Sequence, residues 1–193
     1  MASYSEVSEQ LKKFLEQAVK GSEKAEVLVL HGRWGVGKTK LFHDEKNEII
    51  EKIFFRLNPF RKCPTYVSLF GIESTEQLKR QMCFGDISQS VWQSIGRDIL
   101  TFFRNTGDAT ALAMSFRRIK KITICIDDFE RKGDKLAIKD IFGFISLLKE
   151  ERHCNIILIM NEDQLSDEDK KEFHHHAEKL VDLTLTLNPT ARK

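Results

Sequence analysis

The residues best placed to do chemistry are His31-Gly32-Arg33-Trp34-Gly35-Val36-Gly37-Lys38-Thr39, which contain the pattern G-x-x-x-x-G-K-T. Glycines at these positions let a backbone turn tightly and aim its N–H groups at phosphate oxygens. A helix that starts directly after such a loop adds free N–H groups and the positive end of its dipole, both of which favour an anion. In this pattern the Lys38 ammonium reaches the β- and γ-phosphates and the Thr39 hydroxyl ligates Mg²⁺. The expected nucleotide-binding set is Gly32, Arg33, Trp34, Gly35, Val36, Gly37, Lys38, Thr39 and Lys40. Trp34 has two readings, packing on the loop or lying near the nucleotide.

A second group lies downstream. Ile122-Thr-Ile-Cys-Ile126 runs into Asp127-Asp128-Phe129-Glu130-Arg131. An apolar strand that ends in carboxylates puts them at the carboxyl edge of a sheet, where open α/β folds bind their ligands. Asp pairs also occur in ordinary turns; the phosphate loop upstream favours the chemical reading. Asp127 is then the Mg²⁺ ligand, acting through a water shell that this ion gives up reluctantly. Asp128 orients or deprotonates an attacking water. Asn161 ends another apolar run, Ile156 to Met160, where its side chain could meet the γ-phosphate or that water. The expected catalytic residues are thus Lys38, Asp128 and Asn161, and the expected metal ligands Thr39 and Asp127.

Positioning these groups takes strands that end at one sheet edge. Val27 to Leu30 is a continuous apolar run ahead of the loop, as in a strand covered on both faces. Tyr66 to Phe70, Ile122 to Ile126, Asn155 to Met160 and Val181 to Leu187 read as further strands. Helices are expected over Ser5–Val19, from Lys38 onward as one or two helices, from Ser74 or Thr75 to about Cys83, and over Val91–Phe103, Ala109–Phe116, Ile138–Leu148 and Asp167–Leu180. Asn105 to Asp108 reads as a loop. Alternating strands and helices predict an α/β fold, a three-layer α/β/α sandwich around a largely parallel five-stranded sheet. The division expected is an N-terminal helix over 1–22 and a nucleotide-binding core over 23–193.

The composition bounds what else the chain could be. The 193 residues are 41% hydrophobic and 31% charged, enough for one packed domain. A formal net charge of +2 gives no argument for nucleic acid or an anionic membrane. The four cysteines lie outside any C-x-x-C spacing, so zinc is not expected. No apolar run reaches the roughly 18 residues of a membrane span, and the N-terminus has no apolar signal core. A cytoplasmic setting is expected. His174-His175-His176 suggests a metal, but neighbours on a helix point in different directions. Arg117-Arg118 and Lys120-Lys121 read as a solvated face ahead of a strand, with a phosphate-sensing or nucleic-acid role as the alternative.

Together, Gly32-x-Trp34-Gly35-x-Gly37-Lys38-Thr39 and Asp127-Asp128-Phe129-Glu130-Arg131 resemble the KAP family of P-loop NTPases, whose motifs are G-x-W-G-x-G-K-[ST] and D-D-h-D-R with h apolar. Glu178-Lys179-Leu180-Val181 is similar to the segment that leads into that family's last core strand. The resemblance spans roughly residues 25–190. It implies an additional-strand P-loop core related to AAA+ and STAND ATPases, with Asp127 on the magnesium side, Asp128 activating water and Asn161 as a sensor. Bacterial relatives often belong to large multidomain proteins, some of them active in anti-phage defence. Glu130 departs from the family's usual Asp but keeps the charge. Many relatives carry membrane helices inserted in the core; none occurs here, so membrane attachment is not carried over.

The expected function is therefore binding and Mg²⁺-dependent hydrolysis of ATP, slow in isolation. The helical lid that follows the core in relatives, with any arginine it supplies, is not found in the sequence. A fragment of a longer protein is expected, or a homo-oligomer or additional subunit that completes the site. The alternatives are a module that binds ATP without hydrolysing it and, less favoured, a small-molecule kinase. The absence of an N-K-x-D motif favours adenine over guanine.

Overall fold

A computed structural model describes residues 4–20, 24–56, 64–84, 109–117 and 119–188. The helix expected over Val91–Phe103 and the loop at Asn105–Asp108 lie outside these.

Among the described residues the order is α1 (Tyr4–Lys20), β1 (Val27–His31), α2 (Lys38–Arg56), β2 (Thr65–Ser68), α3 (Thr75–Phe84), α4 (Ala109–Arg117), β3 (Thr123–Asp127), α5 (Ile138–Ser146), β4 (Asn155–Met160), α6 (Asp167–Leu180) and β5 (Leu183–Thr186). The strands form a parallel five-stranded sheet in the order β2-β3-β4-β1-β5. The α/β expectation is met. β4 lies between the strand that leads into the phosphate loop and the strand that carries the acidic motif, which is the additional strand the resemblance implied.

Helices cover both faces, which is why β1, β3 and β4 are apolar without alternation. On one face Val7, Leu11, Phe14 and Leu15 of α1 join Leu41, Phe42 and Ile49 of α2 over Leu28, Leu30, Ile157 and Ile159. The other face holds a larger cluster that includes Leu78, Ile141, Phe142, Ile145 and Phe173 over Val27, Val29, Ile124, Ile126 and Leu158. α1 is tied down beyond this packing: Ser8 Oγ donates to the buried Glu45 carboxylate, and Lys12 pairs with Glu48 at 2.6 Å.

Local chemistry sets several boundaries. The Gln77 N–H donates to Ser74 Oγ at 3.2 Å and the Asp169 N–H to Ser166 Oγ at 3.0 Å, so both serines cap helix N-termini. At the foot of the sheet, the Glu26 N–H donates to Asn155 Oδ1 and the Val27 N–H to Asp182 Oδ2. Burial alone would raise the Asp182 carboxyl, but hydrogen bonds from Lys149 and the Val27 N–H, with the Lys149 and Lys24 charges, hold it below its ordinary value. Three expectations shift. β2 ends at Ser68, leaving Phe70 exposed ahead of Gly71 with its positive φ of 71°. α5 stops as an α-helix at Ser146 and widens into a π turn over Leu147–Glu151, whose Leu148 carbonyl accepts the Cys154 N–H. The last strand, expected over Val181 to Leu187, covers only Leu183–Thr186; it lies at the sheet edge, with Leu185 buried and Leu183 exposed.

Candidate nucleotide site

The loop after β1 is shaped by its glycines. Gly35 and Gly37 have φ values of 78° and 93°, a region that side chains disfavour. At Gly32 a Cβ would come within 2.6 Å of the Leu187 carbonyl oxygen, so only glycine lets the loop pass the exit of β5. α2 then begins at Lys38, and the Leu41 N–H closes its first turn on the Gly37 carbonyl. Lys38 is buried, and its ammonium donates to the carbonyls of Gly32 at 2.6 Å and Arg33 at 3.1 Å. Burial lowers its pKa from the ordinary lysine value against the pull of Glu130, Asp127 and Asp128.

The carboxylates arrive from β3. Thr39 Oγ1 donates to Asp127 Oδ2 at 2.6 Å, joining the first turn of α2 to the end of β3. Tyr66 on β2 donates to the same oxygen at 3.0 Å, and the Asp128 N–H donates to Oδ1 at 2.7 Å. Burial raises the Asp127 carboxyl above its ordinary value despite these donors. The Tyr66 hydroxyl is also pushed up, by burial and by its closeness to Asp127. Asp128 sits in the left-handed region at φ 56°, ψ 39°, so the chain turns sharply after β3. Ser68 Oγ donates to Asp128 Oδ2 at 2.7 Å, and Arg131 Nη1 reaches Oδ1 at 3.5 Å. Phe129, fully buried against Phe142 and Phe173, anchors that turn.

Asn161 follows β4 and is 4% exposed. With His31, Gly32 and Arg33 it lines a cleft of about 510 Å³, lined on the far side by Thr184 and Thr186 of β5 and by Asn188 after it. Arg33 is exposed, its Nε 3.5 Å from Asp163 Oδ2. Val36 is half-buried against the α1–α2 cluster. Lys40 is exposed on the first turn of α2. Trp34 is 60% exposed, and its indole N–H donates to Glu130 Oε1 at 2.8 Å, a partner that neither reading of it had supplied.

The arrangement brings Lys38, Thr39, Asp127 and Asp128 to one sheet edge, with Asn161 just after the neighbouring strand β4. It also contains residues that sequence reasoning missed. Tyr66 and Ser68 are two apart on β2, so they share a face, and β2 pairs with β3. That spacing was readable, but the pairing was not. The histidine triplet disperses: His174 Nε2 lies 2.7 Å from Glu162, while His176 stacks on Phe142. Among the described residues no group of His, Cys, Asp and Glu forms a metal cluster, and no helix is long and apolar enough to cross a membrane.

Comparison with known proteins agrees with the α/β fold. Residues 4–83 match the family model described as the KAP family P-loop domain. Over that stretch, which holds the phosphate loop, the chain is similar to the P-loop domain of the KAP family. No curated protein matches it in sequence. Among solved structures, the domain is similar to the ORC2 protein of Aeropyrum pernix in ADPNP-ADP complexes. The identity is 14% and the TM-score 0.61, over 94% of this chain and 46% of that one. The ORC1 protein of the same organism, in complex with DNA, is 17% identical with a TM-score of 0.54, over 99% and 47%. A Walker-type ATPase of Pyrococcus abyssi is 14% identical with a TM-score of 0.51, over 94% and 53%. These likenesses establish a shared fold. The chain spans about half the length of those proteins.

Proposed function

We propose that this KAP-type domain binds ATP with Mg²⁺ and hydrolyses it. The observation that carries the reading is the junction of Thr39, Asp127 and Asp128, where a hydroxyl and a buried carboxylate converge at 2.6 Å beside a second carboxylate. A hydroxyl with carboxylate oxygens is a hard, oxygen-only donor set of the kind Mg²⁺ takes. Thr39 and Asp127 would hold the ion, which supplies charge neutralisation on the phosphates. The Lys38 ammonium exchanges the Gly32 and Arg33 carbonyls for phosphate oxygens. Asp128, steadied by Ser68, orients the attacking water and takes its proton. Asn161 senses the terminal phosphate from β4. The cleft lined by His31, Asn161, Thr184 and Thr186 offers room for the nucleoside beside the loop.

Phosphoryl transfer depends on positioning and on neutralising charge. Arg131 is occupied: its guanidinium lies 3.9 Å from the Phe70 ring centroid and also faces Asp128. A further arginine, from a lid or a neighbouring subunit, completes the site, so turnover by this chain alone is slow. By family resemblance the domain drives a larger intracellular assembly, of the anti-phage kind found among bacterial relatives. The test is phosphate release from ATP with and without Mg²⁺. Slow, Mg²⁺-dependent release is expected; tight binding with no release would identify a non-hydrolysing module.

The raised pKa of Asp127 adds a pH signature. Its folded-state value lies above the unfolded one, so the fold holds the Asp127 proton up to a higher pH than the unfolded chain does, and the ionised form is the Mg²⁺ ligand. The Mg²⁺-dependent part of ATP affinity is therefore full near pH 8. It declines on acidification before the ordinary aspartate value of about 4 is reached. Calorimetric titrations at successive pH values, each referenced to Mg²⁺-free binding, measure this. An Mg²⁺ increment that stays flat down to about pH 4 contradicts it.

A further inference from the structure

We infer that Glu130 is a positioning residue, a clamp that fixes the phosphate loop to the end of β4 across the additional strand. The inference rests on the nucleotide-binding reading of the site. β4 separates β1, with its phosphate loop, from β3 and the acidic motif. The loop and the acidic turn therefore do not follow neighbouring strands, and no ladder hydrogen bond joins β1 to β3 directly.

Glu130 crosses that gap with one carboxylate. Its Oε1 accepts the Trp34 indole N–H at 2.8 Å, and its Oε2 accepts the main-chain N–H of Asn161 at 3.0 Å. Hydrogen bonds to an ionised acceptor are the stronger kind. Trp34 is 60% exposed, so burial does little to hold it in place. Asn161 is 4% exposed, and a main-chain N–H in such a residue needs a partner. The turn that carries Glu130 is held in turn by the buried Phe129. One side chain thus joins the loop, the acidic motif and the sensor position. It also adds negative charge near Lys38. The sequence pattern marks position 130 only as acidic; the geometry gives it this task.

The test uses Trp34→Phe, Glu130→Gln and the double variant in the full chain. Phenylalanine keeps a ring without the N–H. Glutamine offers a single acceptor oxygen where two N–H groups need one each. In ¹⁵N-resolved NMR spectra, the indole signal lost in Trp34→Phe identifies Trp34. That signal is expected downfield, as for an N–H bonded to a carboxylate, and it moves upfield in Glu130→Gln while the other amide signals persist. In turnover assays each single variant loses about tenfold in kcat with KM for ATP changed less than about threefold. The double variant loses about as much as Glu130→Gln alone rather than about a hundredfold, because the bond that Trp34→Phe removes is already lost in Glu130→Gln. An indole signal unmoved by Glu130→Gln overturns the clamp, and so do losses that multiply. If the wild type hydrolyses no ATP, the proposed activity falls, and the indole signal alone decides the clamp.

Discussion

Asp128→Asn is expected to bind Mg²⁺-ATP as tightly as the wild type and to hydrolyse it at least about a hundredfold more slowly, the usual range for losing a general base or water-orienting group. The substitution isolates chemistry from folding unusually well at this position. Asp128 occupies the left-handed region at φ 56°, which asparagine tolerates readily and alanine does not. Asparagine also keeps an oxygen that can accept from Ser68, which donates to Asp128 Oδ2 at 2.7 Å. What disappears is the negative charge and the basic oxygen. Single-turnover phosphate release, with binding measured separately, gives the answer. Retained hydrolysis at the wild-type rate would remove Asp128 from the mechanism. Weakened binding in parallel would instead assign Asp128 to holding Mg²⁺-ATP.

Phe129→Ala carries the largest expected effect on stability, about 3–5 kcal/mol, the range for truncating a buried aromatic. Phe129 is 0% exposed and meets Phe142 and Phe173 edge-on, with centroids 6.2 and 5.4 Å away. Its removal leaves a void between the turn after β3 and the helices α5 and α6, in an interior that packs densely. Domains of this kind are stable by about 5–15 kcal/mol, so the loss is a large share of the total. The same ring anchors the turn that carries Asp128 and Glu130. Urea unfolding measures the effect as a lowered midpoint, and ATP turnover at low temperature, where the variant still folds, falls with it. An unchanged midpoint would show that the site turn does not depend on this ring.

The parts of this molecule that sequence reveals are those whose signal is local. Val27–Leu30 and Ile156–Met160 are continuous apolar runs, and only strands covered on both faces sustain them. The glycine pattern dictates the loop, and α2 starts at Lys38 as expected. Asp127 and Asp128 end an apolar strand, so their place at the sheet edge is also readable. What stays hidden depends on which strand lies beside which. Tyr66 and Ser68 reach the aspartates because β2 pairs with β3. Glu130 meets Trp34 and Asn161 because β4 intervenes between β1 and β3. Phe70 shows the opposite failure. The run from Tyr66 to Phe70 reads as strand to its end, yet the strand stops at Ser68 and Phe70 stands exposed beneath the Arg131 guanidinium. Local apolarity there reflects a cation–π contact, not a core position.

The most direct test of the account is ATP binding by calorimetry, with and without Mg²⁺, for the wild type and for Lys38→Ala. The Lys38 ammonium is buried at the loop and held by the Gly32 and Arg33 carbonyls, poised for exchange with phosphate oxygens. The account predicts binding that Mg²⁺ strengthens, and a loss of at least about a hundredfold in affinity in a variant that remains folded, the cost of removing a charge-assisted contact from a partly desolvated site. A folded wild type that ignores millimolar ATP, or a Lys38→Ala variant that binds as well as its parent, would contradict the central claim.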